Sequence, residues 1–357
     1  MKKRVLMAII AVLALAVTAL AAFVWPGFLS APLPGNDAAK ISDPNGELRV
    51  YFIDVGQGDS TLITDGTHTV LIDAGDGEHG SKVYSRLHTE VPEDHIDILI
   101  ITHDHIDHVG GLSKILKDCR ADVIIAPSFD GVNLTSLSDL LKGQQEKGTE
   151  LRVLQTNETV VLGDIRLDMH RMGKDAQSEN DSSIITRVQY GDTVFLIMAD
   201  AGIEAETDWM LHSGLSDLSC QVLRVGHHGS DTSSSRRFLE AVSPKYAVIS
   251  VAKANQYGLP DDSVVSRLAA MGCNPWKTEV GTVVVETDGV TVSVSSILES
   301  ADVSTAPFIG NSNSKKVHRR DCSNVSTISE EHLVAFDSLE EAISQNYKPC
   351  GNCRPGQ

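Results

Sequence analysis

The chain is expected to fold as an α/β (α+β) protein, a four-layer αββα sandwich followed by a small appended module. Three observations predict this. Short β-branched runs come in two batches, each trailed by helical stretches, which suits antiparallel strands stacked as two sheets better than a doubly wound parallel sheet. The buried-strand run Asp97-Ile-Leu-Ile-Ile101 opens into a loop with three histidines and two aspartates between His103 and His108. The last fifty residues change texture, with basic residues, a short helical stretch and three cysteines.

Lys2-Lys3-Arg4 precedes an apolar run, Val5 to Trp25, the order of the positive and hydrophobic regions of an export signal. Ala19-Leu-Ala21 offers a cleavage site, yet the run is also about 20 residues long, enough to span a bilayer. Residues 1–27 therefore read as a signal peptide or an N-terminal membrane anchor. Either way the remainder is expected to be extracellular or on the outer face of the cytoplasmic membrane. Residues 28–46, with Pro32, Pro34 and Gly35 and no apolar periodicity, read as a linker.

The main domain is expected over 47–299. Leu48 to Asp54 alternates as a strand, Gly56-Gln-Gly-Asp59 turns, and Thr61–Ile63 and Thr69–Asp73 form a hairpin across Asp65-Gly66. Helices are expected at 81–90, 111–118, 203–213, 234–241 and 261–271. Strands are expected at 123–126, 152–154, 165–170, 183–190, 193–199, 221–225 and 246–251, with a closing hairpin of 282–286 and 291–294. The net charge of -18 argues against broad electrostatic affinity for nucleic acid, because neutralising phosphates takes clustered Lys and Arg.

Imidazole and carboxylate packed this densely make a poor core and a good metal site. In an extended loop alternate side chains face one way, so His103 and His105 can grip one ion while Asp107 and His108 reach a second. Asp73, at a strand end, can accept a hydrogen bond from a metal-bound histidine. His227-His228-Gly-Ser230 follows the strand at 221–225. One imidazole is expected as a ligand and the other as a hydrogen-bonding or proton-donating group, with the assignment open.

His103-x-His105-x-Asp107-His108 after an apolar strand resembles the metallo-β-lactamase fold hydrolases. Phe52-Ile-Asp-Val-Gly-Gln-Gly-Asp-Ser60, Leu71-Ile-Asp-Ala-Gly75, Val225-Gly-His-His-Gly-Ser230 and Ser250-Val-Ala-Lys-Ala-Asn-Gln-Tyr-Gly-Leu-Pro260 narrow the resemblance to the nuclease-like domain of ComEC-type competence proteins. The resemblance covers roughly 47 to 298. It implies two divalent metal ions, zinc or manganese, with Asp200 as the bridging carboxylate and His103, His105, Asp107, His108, His227 and His228 as the remaining metal-site candidates. Asp107, His227 and His228 are the catalytic candidates. Asn180 and Ser183 match the subgroup's Asn-x-x-Ser where other members carry a histidine ligand, His170 being the nearest imidazole in the sequence. Asp59, Lys253 and Asn255 join Asp73, Asn180 and Ser183 as supporting or substrate-contacting residues. Leu259 stands where the group commonly has histidine.

Residues 300–307 read as a second linker and 308–357 as a zinc-binding module. His318-x3-Cys322 and Cys350-x2-Cys353 have closed structural-zinc spacing in a segment too small for a hydrophobic core alone, with a disulfide as the alternative. The module resembles Ada-type metal-binding domains. Cys119, Cys220 and Cys273 read as buried thiols.

The expected function is a secreted or membrane-anchored metal-dependent hydrolase, a phosphodiesterase or nuclease acting on DNA or another phosphate polyanion. The alternatives are a phosphorylcholine- or teichoic-acid-type cell-wall esterase and a catalytically decayed binding protein.

Overall fold

A computed structural model describes Pro44, residues 46–173, 176–297 and 306–356, the last without 330, 331, 337 and 345. The expected signal or anchor segment lies outside the described residues, as do most of the first linker and residues 300–305 of the second. Among the described residues no helix is long and apolar enough to cross a membrane.

The first sheet is built from β1 (Leu48–Phe52), β2 (Thr61–Thr64), β3 (Thr69–Ile72), β4 (His95–Ile100), β5 (Arg120–Ala126) and β6 (Glu150–Val153). The second holds β7 (Asn157–Leu162), β8 (Ile165–His170), β9 (Ile185–Tyr190), β10 (Thr193–Ile197), β11 (Val222–Arg224), β12 (Tyr246–Ile249) and β13 (Trp276–Lys277). The hairpin β14 (Thr282–Thr287) and β15 (Val292–Ile297) returns to the first sheet, giving the order β15-β14-β1-β2-β3-β4-β5-β6 against β13-β12-β11-β10-β9-β8-β7.

Each sheet is half antiparallel and half parallel, which corrects the expectation of antiparallel batches. β3 to β6 run parallel, as do β10 to β13. Parallel neighbours need long crossovers, and the helices supply them. Gly80–Glu90, Leu112–Asp118 and the pair Val132–Ser136 and Ser138–Glu146 serve the first sheet; Ile203–His212, Arg236–Val242 and Asp262–Ala270 serve the second.

Burial explains the four layers. Leu71, Leu99 and Ile124 pack outward against Val83, Leu87, Leu112 and Ile115, while Leu196, Leu223 and Ile249 pack outward against Trp209, Phe238 and Val264. Successive strand side chains alternate faces, so the equally buried Val70, Ile98, Phe195, Ile197 and Val248 lie between the sheets. Each such side chain contributes about 1.5–3 kcal/mol. The sheets are also joined by polar bonds, Thr193 Oγ1 to Thr287 Oγ1 at 2.8 Å and Arg224 Nη2 to Asp59 Oδ2 at 2.8 Å.

Two differences from the expected elements matter for the site. β9 starts at Ile185 rather than Ser183, because Ile184 N donates to Thr102 O at 3.1 Å and draws the preceding segment toward the histidine loop. β10 ends at Ile197, and Ala199 turns into positive φ (48°) just before Asp200. A separate four-stranded sheet, β16 (Phe308–Asn311), β17 (Lys316–Arg319), β18 (Leu333–Phe336) and β19 (Lys348–Pro349), is ordered β18-β16-β17-β19.

Candidate metal centre

The parallel halves put the carboxyl ends of β3, β4, β10, β11 and β12 together, the place where open α/β sheets present side chains to a ligand. Asp73 follows β3, the histidine loop follows β4, Asp200 follows β10, His227-His228 follows β11 and Ser250 follows β12. Three of these turns use strained backbone, at four residues: Asp73, Ala199, His227 and His228 have φ of 56°, 48°, 48° and 52°. Such conformations cost on the order of 1–3 kcal/mol each and persist where surroundings fix them, commonly at functional sites. The glycines of the motifs allow close approach. A Cβ on Gly58 would sit 2.5 Å from Asp107 O, and one on Gly111 would sit 2.0 Å from Ala74 O.

Asp200 is the hub. Its Oδ1 lies 3.3 Å from His108 Nε2 and 3.5 Å from His228 Nε2, while Oδ2 lies 3.8 Å from His103 Nε2 and 3.9 Å from His227 Nε2. Each carboxylate oxygen thus faces a different pair of imidazoles, as a bridging ligand must. Asp107 Oδ2 stands 3.4 Å from His228 Nε2. His103, His108 and Asp200 form one group with ligand atoms within 4.8 Å of one another, and Asp107, His108 and His228 form a second.

A layer behind the cluster fixes which ring nitrogen faces inward. His108 Nδ1 is 2.7 Å from Asp73 Oδ2, so it donates there and leaves Nε2 with a lone pair. His228 Nδ1 donates to Ser250 O at 2.9 Å with the same result. Thr102 Oγ1 donates to Asp73 Oδ2 at 2.6 Å and is free to accept from His103 Nδ1 at 3.1 Å, with Ser183 Oγ 3.5 Å away. Three buried imidazoles therefore turn bare Nε2 atoms toward Asp200. Those Nε2 atoms and Asp200 Oδ1 are buried without a hydrogen-bond partner. Unpaired buried acceptors are costly unless a cation takes them, so the donor set fits divalent metal.

Burial opposes charge on His108, yet the Asp200 and Asp73 carboxylates hold its ring well above the usual imidazole range, so a divalent ion would have to displace a proton from Nε2. Burial alone would raise the Asp200 carboxyl, yet His228 and His108 hold it well below the usual range. Burial also opposes ionisation of Asp107, but His228, its Nε2 3.4 Å away, and the nearby His108 bring it to about 2. Burial and the proximity of His108 keep His103 neutral.

Of the residues expected from sequence, His103, Asp107, His108, Asp200 and His228 converge, with Asp73 and Ser183 behind them. His105 does not join the group: its ring lies 4.5 Å from that of His103, and its Nε2 pairs with Glu179 Oε2 at 3.1 Å. His227 stands at the half-exposed rim, with Nδ1 2.9 Å from Thr232 Oγ1 and Nε2 3.2 Å from Asn180 Nδ2. Between the paired histidines, His228 is the one with its ring buried among the ligands. Asp59 is buried beneath the cluster, held by Arg224 and by Ser250 Oγ at 2.9 Å. Asn255 organises its own loop, donating to Ala252 O and Leu259 O and accepting from Tyr257 N and Leu259 N, while Lys253 is exposed. His170 is engaged by Asn157 and Asp208, and Leu259 packs against the second sheet's outer core.

Arg224 was not singled out from sequence. It is fully buried and donates to Ala199 O at 2.5 Å and Val225 O at 2.8 Å, tying together the turns that carry Asp200 and the histidine pair. Its one available signal was a lone charge inside the apolar run Gln221-Val-Leu-Arg-Val225.

In the third sheet, His318, Cys322, Cys350 and Cys353 bring their ligand atoms within 4.8 Å of one another, and the cysteines are free thiols. Cys350 Sγ accepts from Asn352 N at 3.4 Å and Cys353 Sγ from Arg319 N at 3.3 Å. Amides aimed at sulfur and a closed four-donor set suit structural zinc.

The profile of the metallo-beta-lactamase superfamily matches residues 53–253. ComE operon protein 3 of Bacillus subtilis (strain 168) is 28% identical over 241 residues, covering 62% of this chain and 30% of its own length. Competence protein ComA of Neisseria gonorrhoeae is 29% identical over 239 residues, covering 66% and 32% respectively. For Recombination protein 2 of Haemophilus influenzae the figures are 31% over 225 residues, 62% and 26%. The chain thus spans about a third or less of the length of these relatives. Among solved structures, the metallo-beta-lactamase fold protein YhfI from Bacillus subtilis superposes with a TM-score of 0.48 at 13% identity, covering 68% of this chain and 100% of that one.

Proposed function

Because the chain belongs to the metallo-beta-lactamase superfamily, we propose that it is a metal-dependent phosphodiesterase acting on DNA or another phosphate polyanion at the outer face of the cell. One observation carries the reading: buried His103, His108, His228 and Asp200 point unpaired ligand atoms at one volume, the three imidazoles held in orientation from behind. The names of the relatives, competence and recombination proteins, support a nucleic-acid substrate. The apolar run behind Lys2-Lys3-Arg4 supports export or anchoring.

His103 and Asp200 Oδ2 would hold one divalent ion, and Asp107, His108, His228 and Asp200 Oδ1 a second. Bound there, such ions supply the Lewis acidity that lowers the pKa of water and offsets charge on phosphoryl oxygens. The chain's own residues do the rest. Asp73, Thr102 and Ser250 keep the ligand imidazoles in one tautomer. His227 lies at the rim, with Nδ1 beside Thr232 Oγ1 and Nε2 accepting from Asn180 Nδ2. Once that amide gives way to substrate and Nε2 carries the proton, the ring would hydrogen-bond a phosphoryl oxygen or hand a proton to the leaving oxygen. Glu179 and His105 pair beside His103, both partly exposed.

Hydrolysis of bis-p-nitrophenyl phosphate and of plasmid DNA, each with and without chelator, tests this. Chelator-sensitive cleavage of both is expected. Cleavage of the small diester alone would move the substrate to a wall ester, and cleavage of neither, in protein verified to carry metal, would refute the enzyme.

A further inference from the structure

Beside Asp107 lies an open pocket of about 440 Å³, within the range of roughly 300–1,000 Å³ usual for small-molecule sites. Two of its walls are large hydrophobic side chains left in solvent, Ile106 at 58% and Tyr257 at 64% exposure. Neither exposure is forced by the fold. Ile106 sits between two residues of the histidine loop, where a polar residue would serve the helix start equally well, and Tyr257 tips a loop at the end of β12.

That loop is rigidly built. Asn255 makes four hydrogen bonds within it, and Ala252 N donates to Gln57 Oε1 at 3.4 Å, linking it to the glycine turn after β1. The pocket is therefore pre-formed, and Gln57 and Gln256 add amide groups to its lining. Its acidic members are already engaged: Asp76 Oδ1 accepts from His79 Nδ1 at 2.7 Å and from two backbone amides, and Asp107 belongs to the metal cluster. No lysine or arginine is among its described lining residues. A second phosphate has nothing to hold it there.

We propose that this pocket is the subsite for the planar, uncharged group joined to the hydrolysed phosphate, a nucleobase, with Tyr257 and Ile106 as its apolar walls and Gln57 and Gln256 meeting its hydrogen-bonding edge. The proposal rests on the phosphodiesterase reading and narrows it. Asp107 lines both the pocket and the metal cluster, so the two sites adjoin through that residue and a group in the pocket could be joined to a phosphate held at the cluster. Base-on-aromatic stacking is tolerant of sequence, so the pocket would select nucleotides as a class rather than one base. Tyr257 and Ile106 are specificity residues here; neither touches the reacting atoms.

The test compares three p-nitrophenyl phosphodiesters on the metal-loaded full chain: the thymidine 5′-ester, the methyl ester and the choline ester. The thymidine ester is expected to have a KM about tenfold below that of the methyl ester. Tyr257→Ala is expected to raise KM for the thymidine ester by about tenfold, with kcat and the methyl ester unchanged, and Tyr257→Phe to restore it. Calorimetric binding of thymidine 5′-monophosphate should weaken in parallel in Tyr257→Ala and in Ile106→Ser. If the native protein hydrolyses thymidine and methyl esters equally, or Tyr257→Ala changes neither, the subsite is refuted while the phosphodiesterase stands. Preference for the choline ester would put a cation in the pocket and also refute it. If no ester is cleaved, the failure belongs to the enzyme reading itself.

Discussion

Asp73 shows how much of this site is made by residues that need never touch a ligand. It is fully buried, receives Thr102 N at 2.9 Å and Thr102 Oγ1 at 2.6 Å, and uses its Oδ2 to hold His108 Nδ1 at 2.7 Å. The single carboxylate therefore sets the tautomer of His108 directly and that of His103 through the threonine. Asp73→Asn keeps the shape but can present its amide NH2 to His108 Nδ1, favouring the wrong tautomer. Removing a partner of this kind typically weakens metal binding about 10–100-fold. In competition with a graded chelator, the concentration that removes half the metal should fall by that factor while the circular dichroism spectrum is kept; an unchanged midpoint would mean that His108 is oriented by something else. Arg224 makes the opposite point about legibility. His103, Asp107, His108 and Asp200 stood out in the sequence because ligand types were dense or followed a strand, but Arg224 works through carbonyls of Ala199 and Val225, contacts fixed by the fold with no pattern along the chain.

At the scale of elements, the hairpins and the buried strands were readable, since period-two patterning and Asp-Gly turns are local signals. The parallel pairing of β3 to β6 and of β10 to β13 was not, because strand direction depends on how crossovers pack, which no short window contains. β7 and the helices Val132–Ser136 and Ser138–Glu146 escaped notice for a related reason: their runs are short and without a sustained apolar period, and tertiary packing holds them. The third sheet depends on a different device. Its core clusters are small, Val317, Phe336, Ala342 and Tyr347 on one side and Ala306, Ile309 and Ala335 on the other. A segment of that size commonly needs a staple. Replacing Cys322 and Cys350 together by serine should remove one zinc per chain and leave the metals of the His103–His228 cluster in place. Mass spectrometry of metal content reads this, and loss from both sites would show that they are not independent.

The molecule as a whole carries a net charge of -18 and keeps three thiols away from water: Cys119, Cys220 and Cys273 are 4%, 3% and 2% exposed. Burial pushes Cys119 up to about 12 and Cys273 to about 11, and raises Cys220 further still. In the unfolded chain each would titrate near 8.5. Below that pH both states hold the proton and the thiols impose no pH dependence. Between about 8.5 and 11 the unfolded chain releases protons that the native state retains, so folding stability falls as pH rises, by at most about 1.4 kcal/mol per pH unit for each thiol. Urea midpoints measured from pH 7 to 10.5 should therefore be flat at first and then decline, and Cys220→Ala should make the decline shallower. A thiol reagent at pH 8 is expected to modify Cys322, Cys350 and Cys353 in chelator-treated protein before these three, because a module with so small a core loosens when its ion is removed, although Cys322 and Cys350 are themselves buried in the folded chain. Rapid modification of Cys220 under native conditions would mean that the outer core around Trp209 and Phe238 opens far more readily than its packing implies.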